Sequence, residues 1–271
     1  MNSPHRLAPR TALFLPASNP RAIAKARTLH ADMVILDLED AVRADLKAQA
    51  REAAVAAVAE GFGASLSAIR LNGLDTAEHA GDVAAVAGAA CDYVVLPKVE
   101  AAADAAQVAA LTARPLLAMI ETPAGVLNAA AIAGAPGVAG LIAGTNDLAA
   151  TLGIPPGAGR GGLSLALQMV VLAARAGGGW ALDGVFNALD RPDELRAECV
   201  AGRAMGFDGK TLIHPGQIAV AADAYGPTEA ELAEARALID AATGGAERFR
   251  DRMVEAMHVD QARALLARGG A

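Results

Sequence analysis

Two cysteines are all the chain has, Cys91 and Cys199. They lie too far apart for metal-ligand spacing and are too few for a disulfide framework, which leaves a reducing compartment and buried structural thiols as the expectation. Basic charge is also scarce. The 23 Lys and Arg are outnumbered by 30 Asp and Glu, for a net charge of −7 and a pI near 5.3. Affinity for nucleic acid or a membrane surface needs a basic face, so both are excluded as partners, and a small anionic ligand would need basic residues gathered locally. Long unbroken apolar runs are missing too. The stretch 122–146 carries no charge, but Pro123, Pro136 and several glycines interrupt it, so it does not read as a membrane helix. The N-terminus reaches Pro16 with too few apolar residues for a signal-peptide core, and a cytoplasmic protein is expected.

What the 271 residues do contain is aliphatic: 54% are hydrophobic and only 3% aromatic, enough for one sizeable core. Short β-rich runs, TALFLP, MVILDLE, SAIRLN, YVVLPK, LLAMIET, VAGLIAG, WALDGVF and DGKTLIH, alternate with Ala-rich helical segments. Nearly continuous apolar strands indicate a parallel sheet covered on both faces, and intervening helices indicate right-handed crossovers, so the pattern predicts a TIM (β/α)8 barrel over 1–226. Asp45 is the expected N-cap of one helix, while Pro192 and Gly206 bound another. A Pro/Gly-rich loop, GIPPGAGRGG, precedes the helix LSLALQMVVLAARA. Residues 227–271 form a C-terminal helical extension, with Met253, Val254, Met257, Val259, Ala262, Leu265 and Leu266 roughly on one side. That side asks for a surface, either the chain's own barrel or a neighbouring subunit over which the tail would act as a lid.

In such a barrel, polar residues at the C-terminal strand ends face the active-site mouth. Here these are Asp37, Glu39, Asp40, Arg70, Asn72, Lys98, Glu121, Asp147 and His214. A carboxylate at the edge of an apolar core is costly unless it is paired or binds a metal. With one histidine and no cysteine in the set, oxygen ligands to Mg2+ or Mn2+ are the fitting chemistry, and Glu121 and Asp147 are assigned to that ion. The bland alternative has Glu121 paired with Arg70 or Lys98, and Asp147 capping the helix that starts near Leu148.

Jointly and in order, TALFLPASNPRAIAKA, ADMVILDLEDAV, IRLNG, VVLPKVE, MIETPAG, GLIAGTNDLAATLGI and MGFDGKTLIHPGQI resemble the citrate lyase beta-subunit-like branch of the HpcH/HpaI aldolase superfamily. The resemblance implies a TIM barrel, Mg2+ dependence, a homotrimer or hexamer, and reversible carbon–carbon cleavage of a malyl-, citramalyl- or citryl-CoA type thioester into a keto acid and an acyl-CoA. It makes Glu121 and Asp147 the metal ligands and places Arg70 against the thioester or keto-acid oxygen, where a guanidinium beside the metal would stabilise an enolate. Glu39 and Asp40 would hold metal-bound waters or orient Arg70. Backbone amides at Gly144 and Thr145 would accept the substrate carboxylate. By the same resemblance Phe14 lies beside the cofactor, with Arg21, Lys25 and Lys47 as basic positions around it.

Two departures from the family pattern stand out. Pro16-Ala17 replaces a common Pro-Gly, and in the tail Glu255 stands where relatives carry an aspartate that reaches the adjacent subunit's site as acid or base. Rival readings are a free 2-keto-acid aldolase without CoA, a citrate-lyase component acting on a thioester held by an acyl carrier protein, a Schiff-base aldolase using Lys98, and a non-catalytic oligomeric scaffold.

Overall fold

The computed structural model describes residues 7–270. In chain order the barrel elements are β1 (Thr11–Pro16), α1 (Pro20–Ala26), β2 (Met33–Asp37), α2 (Lys47–Glu60), β3 (Leu66–Arg70), α3 (His79–Ala87), β4 (Tyr93–Leu96), α4 (Ala102–Thr112), β5 (Leu116–Ile120), α5 (Pro123–Leu127), α6 (Ala129–Ala133), β6 (Val138–Ala143), α7 (Thr145–Thr151), α8 (Ser164–Ala176), β7 (Trp180–Asp183), α9 (Pro192–Met205), β8 (Gly209–Leu212) and α10 (Ile218–Tyr225). The eight strands close in sequence order into one parallel barrel, β8 pairing back onto β1 through Thr11–Lys210, Ala12–Thr211 and Leu13–Leu212. This is the TIM barrel expected from the apolar runs.

Strand alternation sorts the side chains into two cores. Ala12, Met33, Ile35, Ala68, Tyr93, Val95, Leu117, Met119, Ile142 and Leu182 point into the barrel, whereas their neighbours Leu13, Val34, Leu36, Ile69, Val94 and Leu116 pack outward against the helices. Full burial of each aliphatic side chain contributes about 1.5–3 kcal/mol, which is why the strands tolerate almost no polar residue below the mouth. Gly206 ends α9 at φ 101°, a left-handed conformation that suits glycine. At α2 the expectation fails. Asp45 is not the N-cap: it lies in a 3-10 turn, Ala44–Leu46, and pairs with Arg43, and the helix starts behind Leu46 without a side-chain cap.

Asp183 ends β7 with its side chain on the helix side, where it meets Lys210 at 3.0 Å and both arms of Arg160. Lys210 also bonds Glu198 at 2.6 Å. Asp183 and Lys210 are fully buried. This network clamps the 152–163 loop onto the barrel wall, and the two cations hold the Asp183 carboxyl below the usual range although burial opposes them.

After α10 come α11 (Glu229–Ala241), a two-stranded hairpin of β9 (Glu247–Phe249) and β10 (Arg252–Val254), and α12 (Ala256–Gly269). Met253 and Val254 therefore sit in a strand, not in the helix the amphipathic pattern suggested. Ala235, Leu238, Val254 and Ala262 form a small core between α11 and α12. Met253 and Met257 remain 67% and 56% exposed. Arg268 near the end of α12 donates to the Asp208 carbonyl at 2.6 Å, just before β8 and thus at the barrel end opposite the strand C-termini. No helix among the described residues is long and apolar enough to cross a membrane.

Candidate active site

The inward alternation that builds the barrel core continues past it. Phe14 follows Ala12, Asp37 follows Ile35, Arg70 follows Ala68 and Glu121 follows Met119, so four chemically distinct side chains converge at the C-terminal mouth. They line a cavity of about 370 Å³ together with Asp40, Gly144, Thr145 and Asp147.

Arg70 is fixed on every side. Its Nε and Nη2 donate to Asp37 Oδ1 and Oδ2 at 2.7 and 2.6 Å, a bidentate pair that the β2–β3 register sets up by placing the two residues side by side. Nη1 lies 2.9 Å from Glu39 Oε2 and 3.7 Å from Asp40 Oδ2. The Phe14 ring covers one face, its centroid 4.9 Å from Cζ, and Met119 Sδ is 3.9 Å from Nη1. Asp37 in turn accepts from the backbone N–H of Glu39 and Ala41 at 2.9 and 3.0 Å. Burial works against the charge, yet the Asp37 bond and the surrounding carboxylates outweigh it and raise the guanidinium pKa, so the cation is permanent.

Opposite stands Glu121, 3% exposed, with Oε1 accepting from the Lys98 backbone N–H at 2.8 Å. Burial, reinforced by the charges of Glu39 and Asp147, pushes its pKa up to about 7 despite that bond. Asp147 lies in the first turn of α7 with its side chain 42% exposed. It is not the helix cap, a position held by Gly144. Lys98 sits at φ 51° and extends its ammonium to Glu39 Oε1 at 2.8 Å and towards Asp147 Oδ2 at 3.9 Å. Its bond to Glu39 raises the Lys98 pKa and favours the protonated amine. Glu39 is buried, and burial raises its pKa even against Arg70. Its Oε2 is ion-paired with Arg70 Nη1 at 2.9 Å without the alignment of a hydrogen bond.

This donor set suits a hard divalent ion. Glu121 is ionised only at a cost that burial sets and its carboxylate neighbours aggravate, and a cation beside it would relieve that cost. Among the described residues no three or more His, Cys, Asp or Glu side chains form a metal cage. Glu121 and Asp147 alone would leave most of the coordination sphere to water and substrate.

A model of the HpcH/HpaI aldolase/citrate lyase family matches residues 10–215. The chain belongs to this family. A (3S)-malyl-CoA thioesterase of Cereibacter sphaeroides is 44% identical over 97% of this chain and 95% of its own length. A citrate lyase subunit beta-like protein of Deinococcus radiodurans is 39% identical over 98% and 99%. The CitE protein of Mycobacterium tuberculosis, solved in complex with magnesium, acetoacetate and coenzyme A, superposes with a TM-score of 0.83 at 37% identity, covering 97% of this chain and 98% of that one.

Within this family member the structure gathers Phe14, Asp40, Arg70, Glu121, Gly144, Thr145 and Asp147 around one cavity, with Glu39 behind Arg70. Other expectations are not met. Gly144 cannot offer its amide to a carboxylate, because that N–H donates to the Ile120 carbonyl at 3.0 Å. Lys47 spends its three donors on the Leu38 and Glu39 carbonyls and on Asn72 Oδ1, at 2.8, 2.8 and 2.5 Å, and so pins the β2 and β3 ends instead of meeting a phosphate. Arg21 and Lys25 are exposed on α1, outside the cavity. His214 caps a 3-10 turn, its Nδ1 accepting from Gly216 N–H at 3.1 Å. Glu255 is exposed at the head of α12 and does not reach the cavity of its own chain; its backbone N–H donates to His258 Nδ1 at 3.0 Å. Two contributors went unassigned in the sequence. Asp37 was legible as an inward strand-end carboxylate in register with Arg70, whereas the Lys98 N–H bond to Glu121 had no sequence signal.

Proposed function

We propose that this protein is a Mg2+- or Mn2+-dependent lyase that cleaves the carbon–carbon bond of a 3-hydroxyacyl-CoA thioester of the malyl-CoA class, giving a keto acid and an acyl-CoA. The observation that carries this reading is the convergence on one cavity of Glu121, buried and without an ion pair among the described residues, Asp147, and the immobilised guanidinium of Arg70. A divalent ion held by Glu121 and Asp147 would supply Lewis-acid polarisation and a template for the acid fragment.

Arg70 supplies the other half. As the bond breaks, its electrons move onto the thioester, and a preorganised guanidinium facing that oxygen stabilises the enolate as its charge develops. Asp37, Glu39, Phe14 and Met119 hold Arg70 in place, so little reorganisation accompanies the step. In this reading Asp40, exposed at the rim and 3.7 Å from Arg70, takes the hydroxyl proton, and return of a proton to the enolate carbon releases the acyl-CoA. In this reading the CoA phosphates are met by Arg21 and Lys25, exposed on α1 outside the cavity. We include a homo-oligomer in this reading, since Leu127, Leu165 and Leu172 are 76%, 76% and 63% exposed on the outer helices.

Hydrolysis of the same thioester is the second reading, favoured by the 44% identity to the malyl-CoA thioesterase. Incubation with (3S)-malyl-CoA and Mg2+, with parallel assays for keto acid and for free thiol, separates the two. Keto acid without thiol supports the lyase, and thiol without keto acid replaces it with the hydrolase. Turnover of free keto-acid aldols in preference to the thioester, or a borohydride-trapped adduct at Lys98, would overturn both. Co-purification with an acyl carrier protein would move the thioester from CoA to that carrier.

A further inference from the structure

We infer that Lys98 is the resident counter-cation of the carboxylate site, occupying the space between Glu39 and Asp147 that a divalent ion must take over, and that it thereby sets the metal affinity of the site. The inference rests on the metal-dependent reading above.

Four carboxylates, Asp37, Glu39, Asp40 and Asp147, crowd the mouth around Glu121, and two cations face them. Arg70 is committed to Asp37 and Glu39 by three contacts of 2.6–2.9 Å. That leaves the Lys98 ammonium, 2.8 Å from Glu39 and 3.9 Å from Asp147, to bridge the wall that carries Glu39 and the helix that carries the second metal-binding carboxylate. An ammonium is a compact point charge on a flexible stem, able to stand where a small metal ion would stand and to leave when one arrives. Its side chain is 44% exposed, so water is open to it once displaced. Two cations sharing one carboxylate repel each other, so the ammonium in its present position, 3.9 Å from Asp147, opposes a metal ion there.

The backbone explains why this cation can leave without dismantling the site. Lys98 adopts φ 51°, uncommon for a side chain larger than glycine, and in that conformation its N–H points at Glu121 Oε1. The residue therefore acts twice. Its amide orients one metal-binding carboxylate in every state, while its ammonium neutralises the other in the metal-free state. Lys98 is a positioning residue by the first action and a competitor of the metal by the second.

Two substitutions separate these actions from a merely structural role. Lys98→Gly removes the ammonium and suits φ 51°, so it keeps the turn and the Glu121 bond; Lys98→Met removes the ammonium and keeps the backbone strain. Mn2+ titrations by calorimetry on the wild type and both variants read affinity without turnover. Both variants are expected to bind Mn2+ about tenfold more tightly than the wild type and, in EDTA, to melt lower as Glu39 and Asp147 lose their neutralising partner. Affinity unchanged or weakened in both overturns the inference, as does tightening in Lys98→Gly alone, which would trace the effect to the backbone. If the wild type takes up no Mn2+ at all, the metal-dependent reading itself fails, and this inference with it.

Discussion

Gly144 and Glu121 touch so closely that a Cβ at position 144 would overlap both Cβ and Oε2 of the glutamate. The glycine is there to make room for a carboxylate, since its φ of −95° is open to any residue. Position 144 therefore controls where Glu121 points.

Gly144→Ala should displace Glu121 from the cavity. Overpacking of this kind costs about 1–3 kcal/mol, but the informative readout is the ligand. The expected outcome is loss of the Mg2+-induced rise in melting temperature and of turnover, with the barrel still folded by circular dichroism. A variant that melts lower yet keeps the full Mg2+ response would mean that Glu121 does not meet the ion.

Glu121 gives a pH prediction whose sign follows from its shift. Its pKa of about 7 in the fold lies above the ordinary 4.5, so the protonated form is the one that folding favours. Stability from this group is present at low pH and is lost as pH rises through about 7. In EDTA the wild type should therefore gain melting temperature, relative to Glu121→Gln, as pH falls from 8 to about 5. At pH 8 Glu121→Gln should be the more stable of the two without metal and should show no Mg2+ response, because a metal ligand must be deprotonated. Parallel pH profiles for the two proteins would show that Glu121 is not strained by its charge.

Arg70→Lys keeps a positive charge but cannot reproduce the bidentate bond to Asp37. Turnover should fall by about 10²–10³, the scale for losing a preorganised donor to a developing oxyanion, while the Michaelis constant changes little. A raised Michaelis constant with unchanged turnover would put Arg70 in ground-state binding.

The barrel was legible because parallel strands buried on both faces leave eight apolar runs that no other architecture accommodates as simply. Glu121 and Asp147 were legible for the same reason: a charge directly after such a run has to be explained. The misassignments have a common physical origin. His214 follows β8 and Lys47 opens α2, but their side chains satisfy local backbone and loop groups, and sequence position cannot tell a polar side chain that reaches a ligand from one that ties down the backbone. Asp183 and Lys210 show the limit of the strand-end rule. They follow or sit beside inward residues, Leu182 and Thr211, so alternation turns them outward into a buried network that holds a loop.

Glu255 heads α12 through its backbone, the N–H donating to His258 Nδ1 and the carbonyl accepting from His258 N–H at 2.9 Å, while its side chain is exposed and away from the cavity. Packing of α12 on α11 and the Arg268–Asp208 bond anchor the segment to its own barrel. Three variants follow from this. Glu255→Gln should leave turnover and melting unchanged. His258→Ala removes the acceptor that organises the first turn and should lower stability by about 1 kcal/mol, the usual cost of losing a cap. Deletion after Gly245 should strip Ala235 and Leu238 of their cover and lower the melting temperature further, with turnover falling only as folded protein is lost. A fall in turnover of about 10² or more in Glu255→Gln at unchanged melting would instead place its carboxylate in a neighbouring chain's site, and the tail would then be an arm that completes a second subunit.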